Sequence, residues 1–242
     1  MSTRREVLLG WRNSSPQAAL AFFPPQPIGE SDAVGLLPPD AGGESLADRT
    51  FVLRCPWNLR MKPGRNAQGE VLFQRANQRG ALSAQAFAGL GEPFPPTSWR
   101  IHENPVFQLS LNLFLISDEP CSVQLMPPFL SPRFRAWPGT LICGRFPITD
   151  WPRPLNAALE WQGSDAEWVL KRGEPIAYAQ MIYQDPDAVP KLIEARMTRG
   201  LKRHTRKIDN VAQFARNVGP MFENAAEARP ERLMVPKDLA DP

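Results

Sequence analysis

Twenty-seven prolines are spread through this 242-residue chain, roughly double the usual share of about 5%. Proline fixes φ and removes a backbone donor, so it ends helices and central strands. The chain is therefore expected to fold as short elements joined by rigid turns, with no long helix before its C-terminal quarter. Hydrophobic residues make up 43% of it and charged residues 22%, enough apolar material for one large domain that needs no metal or disulfide to hold it.

Where the pattern is clear it is β. Phe107, Leu109, Leu111, Leu113 and Leu115 alternate with Gln108, Ser110 and Asn112, the period of a half-buried strand. Asp118-Glu119-Pro120 has turn composition. Cys121, Val123 and Leu125 then alternate with Ser122 and Gln124, so the two runs read as an antiparallel hairpin. Further short strands are expected at Glu6–Trp11, Thr50–Met61 (broken at Pro56), Val71–Phe73, Leu141–Ile148, Leu155–Trp161, Trp168–Lys171 and Ile176–Tyr183. The last two flank Lys171-Arg172-Gly173-Glu174-Pro175, which reads as a hairpin turn. Leu82–Leu90 reads as a short helix.

Short strands at such spacing predict a mainly β (α+β) fold with a β-sandwich or jelly-roll-like core. After Pro190 the character changes. Ile193, Met197, Leu201, Ile208 and Val211 fall near one helical stripe, and Arg196, Arg199, Arg203 and Arg206 on another, which predicts a C-terminal amphipathic basic helix. The expected organisation is a single domain, 1–242. It comprises an irregular proline-rich arm (1–49), a β core (50–185), a helical segment (187–218) and a loosely packed polar tail (223–242).

Cys55, Cys121 and Cys143 are odd in number and widely spaced, unlike a secreted disulfide framework. The apolar stretch after the N-terminal Met-Ser-Thr-Arg-Arg is too short for a signal peptide, and no run of about 18 apolar residues could span a membrane. A reducing cytoplasm is the expected compartment. A net charge of +3 does not by itself imply nucleic acid or an anionic membrane, so any such partner needs a local cluster.

Several chemistries lose their support. His102 and His204 are the only histidines, and His204 is flanked by Arg203 and Arg206, which disfavours a two-histidine metal site. His102-Glu103 begins like a zinc-protease helix, but Val106 and Pro105 break that motif. Gly64–Gly69 has P-loop glycine spacing without the lysine, and no GxGxxG or GxSxG occurs. No cofactor is implied.

Five constellations remain. His102 with Glu103 could carry a proton near neutrality, although adjacent strand residues point to opposite faces. Gly144–Pro154 sets Arg145, Asp150 and Arg153 among Phe146 and Trp151; the arginine forks suit an oxyanion and the indole suits stacking, while an Arg–Asp pair fixing a proline corner explains the same residues. Lys171 and Glu174 could line the mouth of the core or sit on a solvated turn. A cysteine nucleophile is conceivable, but Cys121 and Cys143 fall on strands facing inward, where cysteine is a small hydrophobe. The stretch Arg196–Lys207 could meet an acidic partner or nucleic acid, or merely be solvated.

Cys55-Pro56-Trp57, Pro127-Pro128-Phe129, Gly144-Arg145-Phe146, Asp150–Pro154 and Lys171–Pro175 resemble motifs of a bacterial and phage family of unknown function, over about residues 51–183. The resemblance implies no activity. The leading expectation is thus a cleft for a small anionic or aromatic ligand, lined by His102, Gln108, Arg145, Trp151, Arg153, Lys171 and Glu174. His102 or Asp150 would carry protons in any metal-independent catalysis. The rival is an interaction protein using its basic helix. The cleft requires His102, Asp150 and Arg153 to converge.

Overall fold

The computed structural model describes residues 4–14, 22–29, 46–75, 83–162, 166–208 and 219–238. The fold is mainly β. One six-stranded sheet runs β14 (Ala188–Glu194), β1 (Arg5–Asn13), β7 (Val106–Ile116), β11 (Pro154–Trp161) and β9 (Gly139–Leu141), with β6 (Gly91–Pro93) also paired to β7. A five-stranded sheet runs β10 (Gly144–Pro147), β8 (Cys121–Met126), β13 (Pro175–Tyr183), β3 (Thr50–Arg54) and β2 (Gln26–Pro27). A third sheet joins β12 (Trp168–Leu170), β4 (Leu59–Arg65) and β5 (Val71–Arg75).

All three sheets bury one common core. It takes Leu109 and Leu159 from the first sheet, Val123 and Met181 from the second, and Met61 and Trp168 from the third. The alternation of β7 explains its part: Phe107, Leu109, Leu111, Leu113 and Leu115 all enter that core. Aromatic rings cross it in sequence, from Trp137 through Trp168 and Trp161 to Phe73 and Phe107, with neighbouring centroids 4.7–5.0 Å apart. Near its middle β7 carries two extra residues, since Leu155 faces Leu113 but Asn156 faces Ser110. Asn112 takes φ 52° there, the left-handed region that asparagine tolerates at a bulge.

Four connections differ from the sequence expectation, for one reason: edge occupancy. β7 and β8 do not form a hairpin. β11 fills one edge of β7 while β1 and β6 share the other, so the chain crosses to the second sheet after Asp118. Leu141–Ile148 divides into β9 and β10, which belong to different sheets. The Lys171–Glu174 turn likewise joins two sheets rather than closing a hairpin. The arm is only partly irregular, because β1 lies inside a sheet between β14 and β7. Leu36-Leu37-Pro38-Pro39 lies outside the described residues.

The expected helix over 187–218 begins as a strand. Ala188–Glu194 pairs in parallel with β1, and Pro190 is tolerated because β14 is an edge strand. Pairing with β1 overrides the helical spacing of Ile193 and Met197. Helix α2 follows at Arg199–Ile208, with the Thr198 hydroxyl accepting from the Leu201 amide at 3.0 Å as its N-cap. Residues 209–218, including Val211, lie outside the description. The described part of the tail is anchored at a few buried residues. Helix α3 (Gly219–Glu227) is followed by Leu233 and Met234, buried against Ile116, Ala195 and Leu201. Met234 also covers Gly10, where a Cβ would lie 2.8 Å from its Cγ.

Candidate functional site

The turn between β10 and β11 is where the C-terminal helices meet the sheets. Trp151 is buried there with Ala225 and Met221 of α3. The Asp150 carbonyl accepts a hydrogen bond from His204 Nε2 of α2 at 2.9 Å. A carbonyl can only accept, so Nε2 carries a proton. His204 is itself buried, and its Nδ1 has no partner among the described residues. Sequence reasoning treats the Arg145–Arg153 corner and the basic helix as separate candidates. The structure joins them through this contact.

With His204 and Leu201 docked inward, the opposite face of α2 is turned outward. Arg199, Lys202, Arg203 and Arg206 are exposed and line one open groove. Their spacing of three and four residues puts them along one face. No acidic residue occurs between Glu194 and Asp209, and none of the four ion-pairs with a described residue. Lys202 is passed over by the sequence reading, although it lies three residues from Arg199 on the same face. Arg196 is used differently: its guanidinium donates to the Lys237 carbonyl at 3.2 Å.

The cleft expected from sequence is not assembled. His102 is exposed in the turn Ile101–Asn104, just before β7. Asp150 precedes β11, whose Pro154 faces Phe114 while its Glu160 faces Val106. Six residue steps of strand therefore separate the two ends, about 20 Å. Gln108 is half-buried on β7 opposite Ala158, toward the His102 end. Arg145 is exposed on β10 opposite Gln124. Trp151 is core. Arg153 is half-buried and stacks on Phe146, 4.4 Å from the ring centre.

Lys171 and Glu174 serve the turn itself. The Glu174 carboxylate accepts from the Lys171 amide at 3.2 Å and ion-pairs with Arg133 at 2.5 Å, while its carbonyl accepts from the Cys55 amide at 2.8 Å.

The cysteines divide by burial. Burial pushes the Cys55 thiol up to about 12, and the Cys121 thiol likewise to about 12. Both stay protonated at neutral pH and are poor nucleophiles. Cys143 is exposed, against the inward orientation expected of it. In native protein at pH 8 a chromogenic disulfide reagent should therefore titrate one thiol quickly, and all three cysteines only after denaturation. Rapid native uptake of a second equivalent would contradict the burial of Cys55 and Cys121.

Among the described residues no helix is long and apolar enough to cross a membrane, and no cluster of three or more metal-ligating side chains occurs. The architecture and site together define a mainly β protein whose helix α2 presents a cationic face. No family model matches the chain, and no curated protein matches it.

Proposed function

We propose that the protein is an interaction module that holds a polyanionic partner, an acidic protein or nucleic acid, on the outer face of α2. On this reading the sheets are a sandwich-like scaffold and α2 is its amphipathic basic helix. The observation that carries it is the row Arg199, Lys202, Arg203 and Arg206, exposed together without an acidic partner among the described residues. Unpaired cations at this density attract polyanions and raise their association rate. No aromatic residue interleaves with them, so the contact would be to charge rather than to stacked bases.

Binding to a random-sequence DNA duplex and to polyglutamate, followed by fluorescence anisotropy against salt, tests the proposal. With about four phosphate contacts, log affinity for the duplex should fall against log salt with a slope of roughly −3 to −4. Arg199→Glu with Arg203→Glu should weaken binding by about tenfold or more and flatten that slope. Indifference of both ligands to the double charge reversal would sink the proposal.

A further inference from the structure

The turn between β10 and β11 holds a guanidinium that no described residue neutralises. Arg153 immediately precedes β11 of the six-stranded sheet, and Phe146 lies on β10 at the edge of the five-stranded one. The Arg153 Cζ sits 4.4 Å from the centre of the Phe146 ring. That ring lies close over Gly144, where a Cβ would come within 2.6 Å of the ring Cζ. The Arg153 fork thus has one face covered by an aromatic ring.

The acceptors close in sequence are committed elsewhere. The Asp150 carbonyl takes the His204 proton, and the Asp150 carboxylate lies 3.9 Å from Arg229 Nε. The Thr149 carbonyl takes Arg229 Nε at 2.8 Å. No carboxylate, carbonyl or hydroxyl among the described residues accepts from Arg153. Burial lowers the Arg153 pKa from its ordinary value, which marks the cost of holding the charge there. A cation–π contact offsets part of such a cost and satisfies none of the five N–H donors. Charged groups removed from water normally carry an ion partner or a full set of hydrogen bonds. Arg153 has no such partner among the described residues, and being half-buried it presents its donors to solvent, where a ligand can reach them.

We propose that Arg153, stacked on Phe146, is a binding site for one oxyanion group, a carboxylate or a phosphate, of a small ligand. The planar fork offers two parallel donors to such a group, a geometry that lysine cannot reproduce. The site rests on different observations from the cationic face of α2 and stands or falls separately.

The test follows the arginine Nε–Hε resonances of the full-length protein by NMR. Sodium phosphate and sodium acetate are titrated separately, against sodium chloride at matched ionic strength. The Arg153 signal is identified by its loss in Arg153→Lys. It should shift saturably, with a midpoint about tenfold lower than any response of Arg199 or Arg203, as a charge-assisted bidentate contact warrants. Saturation by phosphate alone identifies a phosphoryl ligand, by acetate alone a carboxylate ligand, and by both the shared chemistry. The double variant Arg199→Glu, Arg203→Glu should leave the midpoint unchanged. An Arg153 signal that follows chloride equally, or drifts linearly as the exposed arginines do, overturns the proposal. The titration is read in the unmodified protein, and sequential assignment of the Arg153 side-chain signal in that protein serves where Arg153→Lys does not fold.

Discussion

Replacing Arg229 with methionine should lower the unfolding free energy by about 3–5 kcal/mol and release the C-terminal segment from the sheets, because the substitution removes one partner of a buried charge. The Arg229 side chain is only 11% exposed. Its Nε donates to the Thr149 carbonyl at 2.8 Å. One terminal nitrogen donates to Asp118 Oδ1 at 2.9 Å and to the Ser117 carbonyl at 3.3 Å. The other donates to the carbonyls of Pro230 and Glu231, at 2.8 and 3.1 Å. One planar group thus ties the turn after β7, the corner before Asp150 and its own segment. Asp118 completes the knot by accepting from the Leu233 amide at 2.8 Å. Methionine keeps the apolar stem, so what is lost is donors and charge, not volume. Denaturant unfolding should show the loss, and hydrogen exchange should show early deprotection of Leu233 and Met234 while β7 stays protected. A cost below about 1 kcal/mol with those amides still protected would contradict the role assigned to Arg229. The consequence for function is direct, since α2 and its cationic face rest on the same segment through the Leu201–Leu233–Met234 cluster.

Strand positions were legible in the sequence wherever one face of a strand meets the core. β7, β8, β11 and β13 sit close to their expected places because period-two alternation records a single buried face. Partnership between strands was not legible. Nothing in Cys121–Met126 says that the neighbouring edges of β7 are taken by β1, β6 and β11, and turn composition at Asp118–Pro120 suits a sheet change as well as a hairpin. Ala188–Glu194 differed in another way: only Ile193 belongs to the helical stripe, and a parallel edge strand needs only a partner, which here, β1, is more than 170 residues away in sequence. The polar tail concealed Leu233 and Met234 because two apolar residues among charges and prolines carry no periodic signal.

Of the candidate site, the chemistry of the side chains was legible and their convergence was not. The corner Arg145–Arg153 and the stretch Arg196–Lys207 both stood out by composition, and His204 joins them. That contact spans 54 residues and depends on how α2 docks, which no local pattern encodes. His102 illustrates the opposite error. It drew attention as a rare residue type beside a strong strand, yet it lies before the start of β7, while Asp150 precedes the far end of β11.

The two central tryptophans should respond oppositely to loss of their N–H groups. Trp161 and Trp168 are both fully buried, with centroids 4.7 Å apart at 68°. Trp161 Nε1 donates to the Ala166 carbonyl at 3.1 Å, whereas Trp168 Nε1 is buried with no partner among the described residues. Alanine at either position removes a large ring from the point where all three sheets meet, and should cost about 3–5 kcal/mol. Phenylalanine separates the two. At Trp161 it opens a smaller gap and also removes the hydrogen bond to the Ala166 carbonyl, so both effects destabilise. At Trp168 it opens a similar gap but removes an unpaired donor, whose burial costs about 1–3 kcal/mol. Trp168→Phe should therefore be the milder change by about 1–3 kcal/mol, read as a higher urea midpoint at unchanged m-value. Equal midpoints, or a lower one for Trp168→Phe, would mean that the Trp168 N–H contributes to stability and is hydrogen-bonded in solution. That outcome would reassign the polar character of the core without disturbing its packing, since the paired alanine variants report the packing alone.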